Sequence, residues 1–164
     1  MDARLNFYAN TVGAKFSKQI HAAAAVVSDS ALPHSTQELV RIRASQINGS
    51  SFCTDIHSRD AAQAGETSPW LNLIAAWREA KVFTDAERAA LELTEQGTRL
   101  ADAAGGVSDD VWANVCKYHD DDELAALVAQ IALINTFSRM NVITRQPAGD
   151  NQLVMLHERE YQPG

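Results

Sequence analysis

The sequence predicts an all-α fold on three observations. Apolar residues recur at three- and four-residue steps nearly everywhere. Alanine, leucine and glutamate dominate, and β-branched runs are scarce. Helix starts are marked by Ser, Thr or Asp three residues ahead of an acid. By length the 164 residues form one domain (1–164), a compact array of about seven helices with no internal repeat.

The first helix is expected from about Thr11 to Val27, with Val12, Phe16, Ile20, Ala23 and Val27 along its inward face, and Ser28–Pro33 ends it. Ser35-Thr36-Gln37-Glu38 has the form of a capping box and opens a second helix with Leu39 and Ile42 inward. Asn48-Gly49 stops that helix. A third opens at Ser50 or Ser51 and runs through Ile56, Asp60 and Ala61 to Gly65. Ser68-Pro69 starts a fourth, because Pro is favoured at the first helical position, and Leu71, Ile74 and Trp77 are among its apolar positions.

Thr84-Asp85-Ala86-Glu87 is another capping box, launching a helix through Leu91 and Leu93 towards Leu100, ahead of Gly105-Gly106. Ser108 caps a short helix carrying Val111, Trp112 and Val115. Asp120-Asp121-Asp122-Glu123 puts acid at the positive end of the last long helix, which buries Leu124, Leu127, Ile131 and Ile134. Asn135, Ser138, Arg139 and Asn141 interrupt its apolar face and read as polar contacts between helices or subunits. Beyond Pro147, Leu153–Leu156 reads as a short extended arm.

Composition excludes several function classes. Fourteen Lys plus Arg against 21 Asp plus Glu give a net charge of −7 with no basic cluster, so neither nucleic acid nor an anionic membrane surface is an expected partner. The longest apolar run, around Leu124–Leu133, is broken by Gln130 and too short for a bilayer. The N-terminus lacks the basic-then-apolar order of a signal peptide. Two cysteines, Cys53 and Cys116, make no disulfide framework and fit a reducing cytoplasm.

Chemistry concentrates between Glu38 and His57. Eleven residues separate Glu38 from Ser50, two separate Ser50 from Cys53, and three separate Cys53 from His57. Cys53 falls in the first turn of its helix, where unpaired N–H groups and the helix dipole favour a thiolate. His57 lies on the same helical face and is suited to take the thiol proton. Glu38 completes a base-plus-orienter set for an activated nucleophile. Each residue also has an ordinary structural role: Cys53 as a small core side chain, Glu38 as the reciprocal member of the Ser35 box, Ser50 as an N-cap. Cys116 reads as a buried small hydrophobe. Cys-x-x-x-His supplies two ligands where a closed zinc site needs four, and there is no phosphate loop, so no metal or cofactor is expected.

The run E-L-V-R-I-R-A-S-Q-I-N-G-S-S-F-C-T-D-I-H, Glu38 to His57, resembles the core of the alkylhydroperoxidase D-like family within the carboxymuconolactone decarboxylase superfamily. Ala75–Ala80, Phe83–Leu91 and Ile134–Asn141 fit it as well, so the similarity covers roughly residues 32–144. The family pattern is a Glu, eleven residues, then Cys-x-x-Cys-x-x-x-His. Glu38, Cys53 and His57 match three of its four functional positions, and Ser50 stands where the first cysteine belongs. A further His that some members carry before the second cysteine is Phe52 here.

The resemblance implies an antioxidant hydroperoxide reductase, with Cys53 as the thiol that attacks the O–O bond and Glu38 and His57 as the proton relay. It also implies a dithiol reductant, dihydrolipoyl or thioredoxin-like, and a homo-oligomer, a trimer or hexamer. Ser50 changes the second step. A hydroxyl cannot condense with a sulfenic acid to a disulfide, so turnover requires an external thiol, without which excess oxidant drives Cys53 to sulfinic acid. A native serine and a Cys→Ser replacement read alike here. Ser50 is expected to cap its helix and donate to the thiolate. Two rival readings follow: a non-catalytic redox sensor or structural homo-oligomer of the same fold, favoured by Ser50, and lactone decarboxylation, disfavoured by the cysteine-centred motif.

Overall fold

The computed structural model describes residues 2–102 and 105–149, so the arm expected at Leu153–Leu156 lies outside the described residues. Seven α-helices and one 3₁₀ turn account for the regular structure among the described residues, with no strand. They are α1 (Thr11–Ser28), α2 (His34–Asn48), α3 (Ser51–Gln63), α4 (Ser68–Leu73) running into the turn Ile74–Ala76, α5 (Asp85–Thr98), α6 (Asp109–Val115) and α7 (Asp121–Thr144).

The local signals mostly become the caps they spell. Ser50 Oγ accepts the N–H of Cys53, and Gly49 ends α2 in the left-handed conformation. Thr84 with Glu87, and Asp120 with Glu123, form both arms of a capping box. Ser108 caps α6, and Thr67, one residue ahead of the expected start, caps α4.

The Ser35–Glu38 box does not form. α2 begins at His34 behind Pro33 with no side-chain cap. Glu38 is 1% exposed and its carboxylate is engaged by Arg41 and His57. A buried carboxylate gains more from a guanidinium and an imidazole N–H together than from a single backbone N–H at a solvated helix end.

α2 sits at the centre, packed on α3, α5 and α7. On one side Val40 joins Leu93, Val115, Leu127 and Ile131 in a core shared with α5, α6 and α7. On the other, Leu39 and Ile42 meet Trp70, Ile74, Trp77, Phe83 and Leu91. Glu95 ties this half together, accepting from Trp77 Nε1 at 2.9 Å, Arg78 Nη1 at 2.6 Å and Arg43 Nε at 2.8 Å. α7 buries Leu124, Leu127, Ile131 and Ile134 as its spacing predicts. By length and composition alone this helix could cross a membrane, yet it is a core element, and its buried Asn135 bridges Asn48 and Thr98.

Three further expectations are corrected. α1 turns its apolar row outward: Val12 is 75% and Phe16 47% exposed, Ala23 is exposed too, and the buried positions are Gly13, Ser17 and Val27. Periodicity gives a helix its face but not what covers it, and small residues let α1 lie close to its neighbours. α5 stops at Thr98, leaving Leu100 exposed. Cys116, the residue after α6, is exposed rather than buried.

Candidate active site

The spacing from Ser50 to His57 acquires its geometry from one helix and its neighbours. α3 opens with Ser50 as cap, so Cys53 occupies the third helical position, its N–H held by Ser50 Oγ at 3.4 Å. The thiol is 3% exposed and packs with Ala44 of α2 and Ile134 of α7. His57, one turn on, is 20% exposed at its side chain. Cys53 and His57 both line a cleft of about 220 Å³ whose walls are largely apolar, with Phe52, Ile56, Leu133 and Phe137 among them. His21 of α1 stacks edge-on to Phe137 at 5.1 Å along the same cleft.

Glu38 lies behind His57. Its Oε2 is 3.0 Å from His57 Nδ1, and Arg41 of the next helical turn donates to its Oε1. Arg41 in turn donates to Gln37 and to Gln130 of α7. Burial by itself raises the Glu38 pKa, but the hydrogen bonds and charges of His57 and Arg41 outweigh it and hold the carboxyl below its ordinary value. Glu38 is therefore ionised at neutral pH. Paired with it through Nδ1–H, His57 is left with Nε2 as its basic nitrogen.

Asp60 stands 4.0 Å from the same Nδ1. Burial and the negative charge of Glu38 push its pKa up, against the pull of His57 and Arg41. Donor atoms of Glu38, His57 and Asp60 lie within 4.8 Å of one another, the spacing of a metal cluster. The Arg41 guanidinium already neutralises Glu38 there, and its charge opposes a second cation at that carboxylate.

Ser50 is 2% exposed and lines a different, more polar cleft with Gly49, Arg145 and Gln146, separated from the Cys53 cleft by Phe52 and Asn141, which line both. Its hydroxyl caps the helix as expected, but among the described residues the hydrogen bond to Cys53 Sγ comes from another side chain. Asn141 of α7, 4% exposed, donates Nδ2–H to Sγ at 3.2 Å. Tyr8 donates its hydroxyl to Asn141 Oδ1 at 2.8 Å. Asn141 is an inter-helix contact as its position on α7 implies, and its partner is the thiol. Tyr8 escaped the sequence reading altogether, since it lies ahead of the first helix where no periodicity marks it. Both cysteines are free.

The carboxymuconolactone decarboxylase family model matches residues 16–96, which include Glu38, Ser50, Cys53 and His57. The uncharacterized protein YdfG of Bacillus subtilis is 35% identical over 113 residues, 69% of this chain and 76% of its own length. The uncharacterized protein YnjA of Escherichia coli is 32% identical over 112 residues, 68% of this chain but only 60% of its own. Among solved structures, ATU0492 from Agrobacterium tumefaciens, of unknown function and a candidate antioxidant defence protein AhpD, superposes with a TM-score of 0.83 at 30% identity. That match covers 90% of this chain and 99% of the other.

Proposed function

The chain belongs to the carboxymuconolactone decarboxylase family and has the fold of its AhpD-like members, and from that premise we propose that it is a thiol-dependent hydroperoxide reductase with Cys53 as the peroxide-reactive thiol. The observation that carries this reading is the shared cleft: a nearly buried sulfur receiving an N–H, beside a histidine backed by a buried, ionised carboxylate. His57 Nε2 takes the thiol proton while Glu38 holds Nδ1–H and stabilises the imidazolium. The thiolate attacks the outer oxygen of ROOH. The S–O bond forms as the O–O bond breaks, sulfur is oxidised to sulfenic acid, and the alkoxide leaves with the proton from His57 as ROH. The apolar walls of the cleft suit an organic hydroperoxide.

Ser50 supplies no resolving thiol, so an external thiol attacks the sulfenic sulfur, expelling water and leaving a mixed disulfide. A second thiol frees Cys53. A dithiol donor of the dihydrolipoyl or thioredoxin type does both steps. A reducing cytoplasm suits a chain with two cysteines and no disulfide framework, and the uncovered apolar row of α1 supports a homo-oligomer.

The test is a brief pulse of stoichiometric hydroperoxide with a sulfenic-acid trap present, read by peptide mass spectrometry. Selective trapping on Cys53, lost in Cys53→Ala and weakened in His57→Ala, is expected. Equal slow labelling of Cys53 and Cys116 would sink the proposal. A redox sensor without turnover is the second reading, favoured by Ser50: it predicts trapping on Cys53 but no dithiol-driven cycle even in Ser50→Cys.

A further inference from the structure

The geometry points to Asn141 as the hydrogen-bond donor that tunes the reactivity of the Cys53 sulfur, and to Tyr8 as the positioning residue that keeps the Asn141 amide turned the right way. The inference rests on the proposed role of Cys53 and adds to it two residues outside the Glu38–His57 segment.

A primary amide has two faces. With Nδ2–H toward sulfur, Asn141 favours the thiolate, because a hydrogen-bond donor stabilises the charged form. Turned over, Oδ1 would face sulfur, accept S–H and favour the neutral thiol. Tyr8 decides between the two: its O–H donates to Oδ1 at 2.8 Å, which leaves Nδ2 to reach Sγ at 3.2 Å. Asn141 is 4% exposed, where such a bond is stronger than in water.

Tyr8 is brought there by a strap. The N-terminal segment crosses the end of α7, with Arg4 N–H donating to Thr144 O at 2.8 Å and Gln146 Nε2 to Leu5 O at 3.2 Å. Thr144 lies one turn beyond Asn141, so the strap and the amide share one helix end. On its other side the strap presses on α1: a Cβ on Gly13 would lie 2.0 Å from the Phe7 carbonyl oxygen. Only glycine permits that approach at a helical position where alanine would otherwise be preferred.

The charged and titratable groups lining the cleft are Tyr8 from the strap, His21 from α1, Arg41 from α2 with Glu38 behind it, and His57 on α3 with Asp60 beyond it. Among the described lining residues, α7 contributes Gln130 and Asn141 as polar groups and no charge. Among the described residues, Asn141 is thus the polar group that α7 sets directly on the sulfur.

The test is the rate of Cys53 alkylation by iodoacetamide against pH in the full chain, resolved by peptide mass spectrometry with exposed Cys116 as the internal control. Asn141→Asp, which puts a carboxylate where the donor was, is expected to move the Cys53 profile to higher pH by about one unit or more, a roughly tenfold slower reaction near neutrality. Tyr8→Phe and Gly13→Ala are expected to move it the same way by less, with Cys116 unmoved. An unmoved Cys53 profile in Asn141→Asp would overturn the inference; should that variant not fold, the same result in both Tyr8→Phe and Gly13→Ala would do so. The readout uses no peroxide. A shifted profile in a chain that forms no sulfenic acid keeps the Tyr8–Asn141 pair and rejects the reductase, and sulfenic acid with an unshifted profile does the reverse.

Discussion

Glu38 Oε2 meets His57 Nδ1 at 3.0 Å, although the two residues are 19 positions apart on separate helices. The pair turns a buried carboxylate into the orienter of an imidazole that lines the cleft of Cys53. His57→Ala is expected to slow peroxide reduction by about a hundredfold, in the range of a lost general acid–base. Glu38→Gln, which keeps the shape and removes the charge, is expected to cost less. Stopped-flow loss of hydroperoxide under excess dithiol measures both.

Glu38 and Glu95 give the fold a shared acid sensitivity. Burial opposes ionisation of Glu95 as it does for Glu38, but the Trp77, Arg78 and Arg43 donors win and hold its pKa below the ordinary 4.5. Both folded-state values are depressed, so their contribution to stability is fully present above 4.5 and lost as pH falls through the folded values. Urea midpoints should fall steeply below that pH. Glu95→Ala, which strands Arg43 in a largely buried site, is expected to cost about 3 kcal/mol at pH 7.

Asp60 has the opposite sign. Its folded value is raised above the ordinary 3.8 by burial and by Glu38, so its contribution is present below 3.8 and lost as pH rises through the folded value. Asp60→Asn is therefore expected to raise Tm at neutral pH, and calorimetry at pH 7 and pH 3 should show the gain only at the higher pH.

Ser50 joins two roles that mutation separates. Ser50→Ala removes the cap on the Cys53 N–H and is expected to lower stability by about 1 kcal/mol in urea. Ser50→Cys supplies a thiol three positions ahead of Cys53, at the cap of the same helix, and after one equivalent of peroxide it is expected to yield an intramolecular disulfide. In the parent chain the same treatment should leave sulfenic acid. Non-reducing peptide mapping distinguishes them.

Phe16 and Val12 leave α1 with an apolar row open to solvent. Light scattering is expected to give a mass that is a multiple of 17.9 kDa, and Phe16→Glu to return it to 17.9 kDa. A parent chain that runs as a monomer would remove the oligomer from the proposal.

The local parts of the site were legible because they are helical neighbours. Cys53 and His57 lie one turn apart on α3 and line one cleft, with Ser50 as the cap of that helix, and spacing rules suffice to place all three. Thr84 with Glu87 and Asp120 with Glu123 are caps for the same reason: each box is complete within four consecutive residues. Glu38 shows where such rules stop. Its box with Ser35 is complete on paper, yet Arg41 and His57 outbid the backbone once α3 folds against α2.

Helix positions, caps and the cysteine–histidine register were settled by short-range chain chemistry, in which a side chain competes only with its own turn. Packing alone decided the rest. Asn141 reaches Cys53 across 88 positions and Tyr8 reaches Asn141 across 133, α1 turns Gly13 and Ser17 inward instead of Phe16, and Cys116 is left in solvent. No periodicity records such choices, because each depends on which surface another helix brings to meet it.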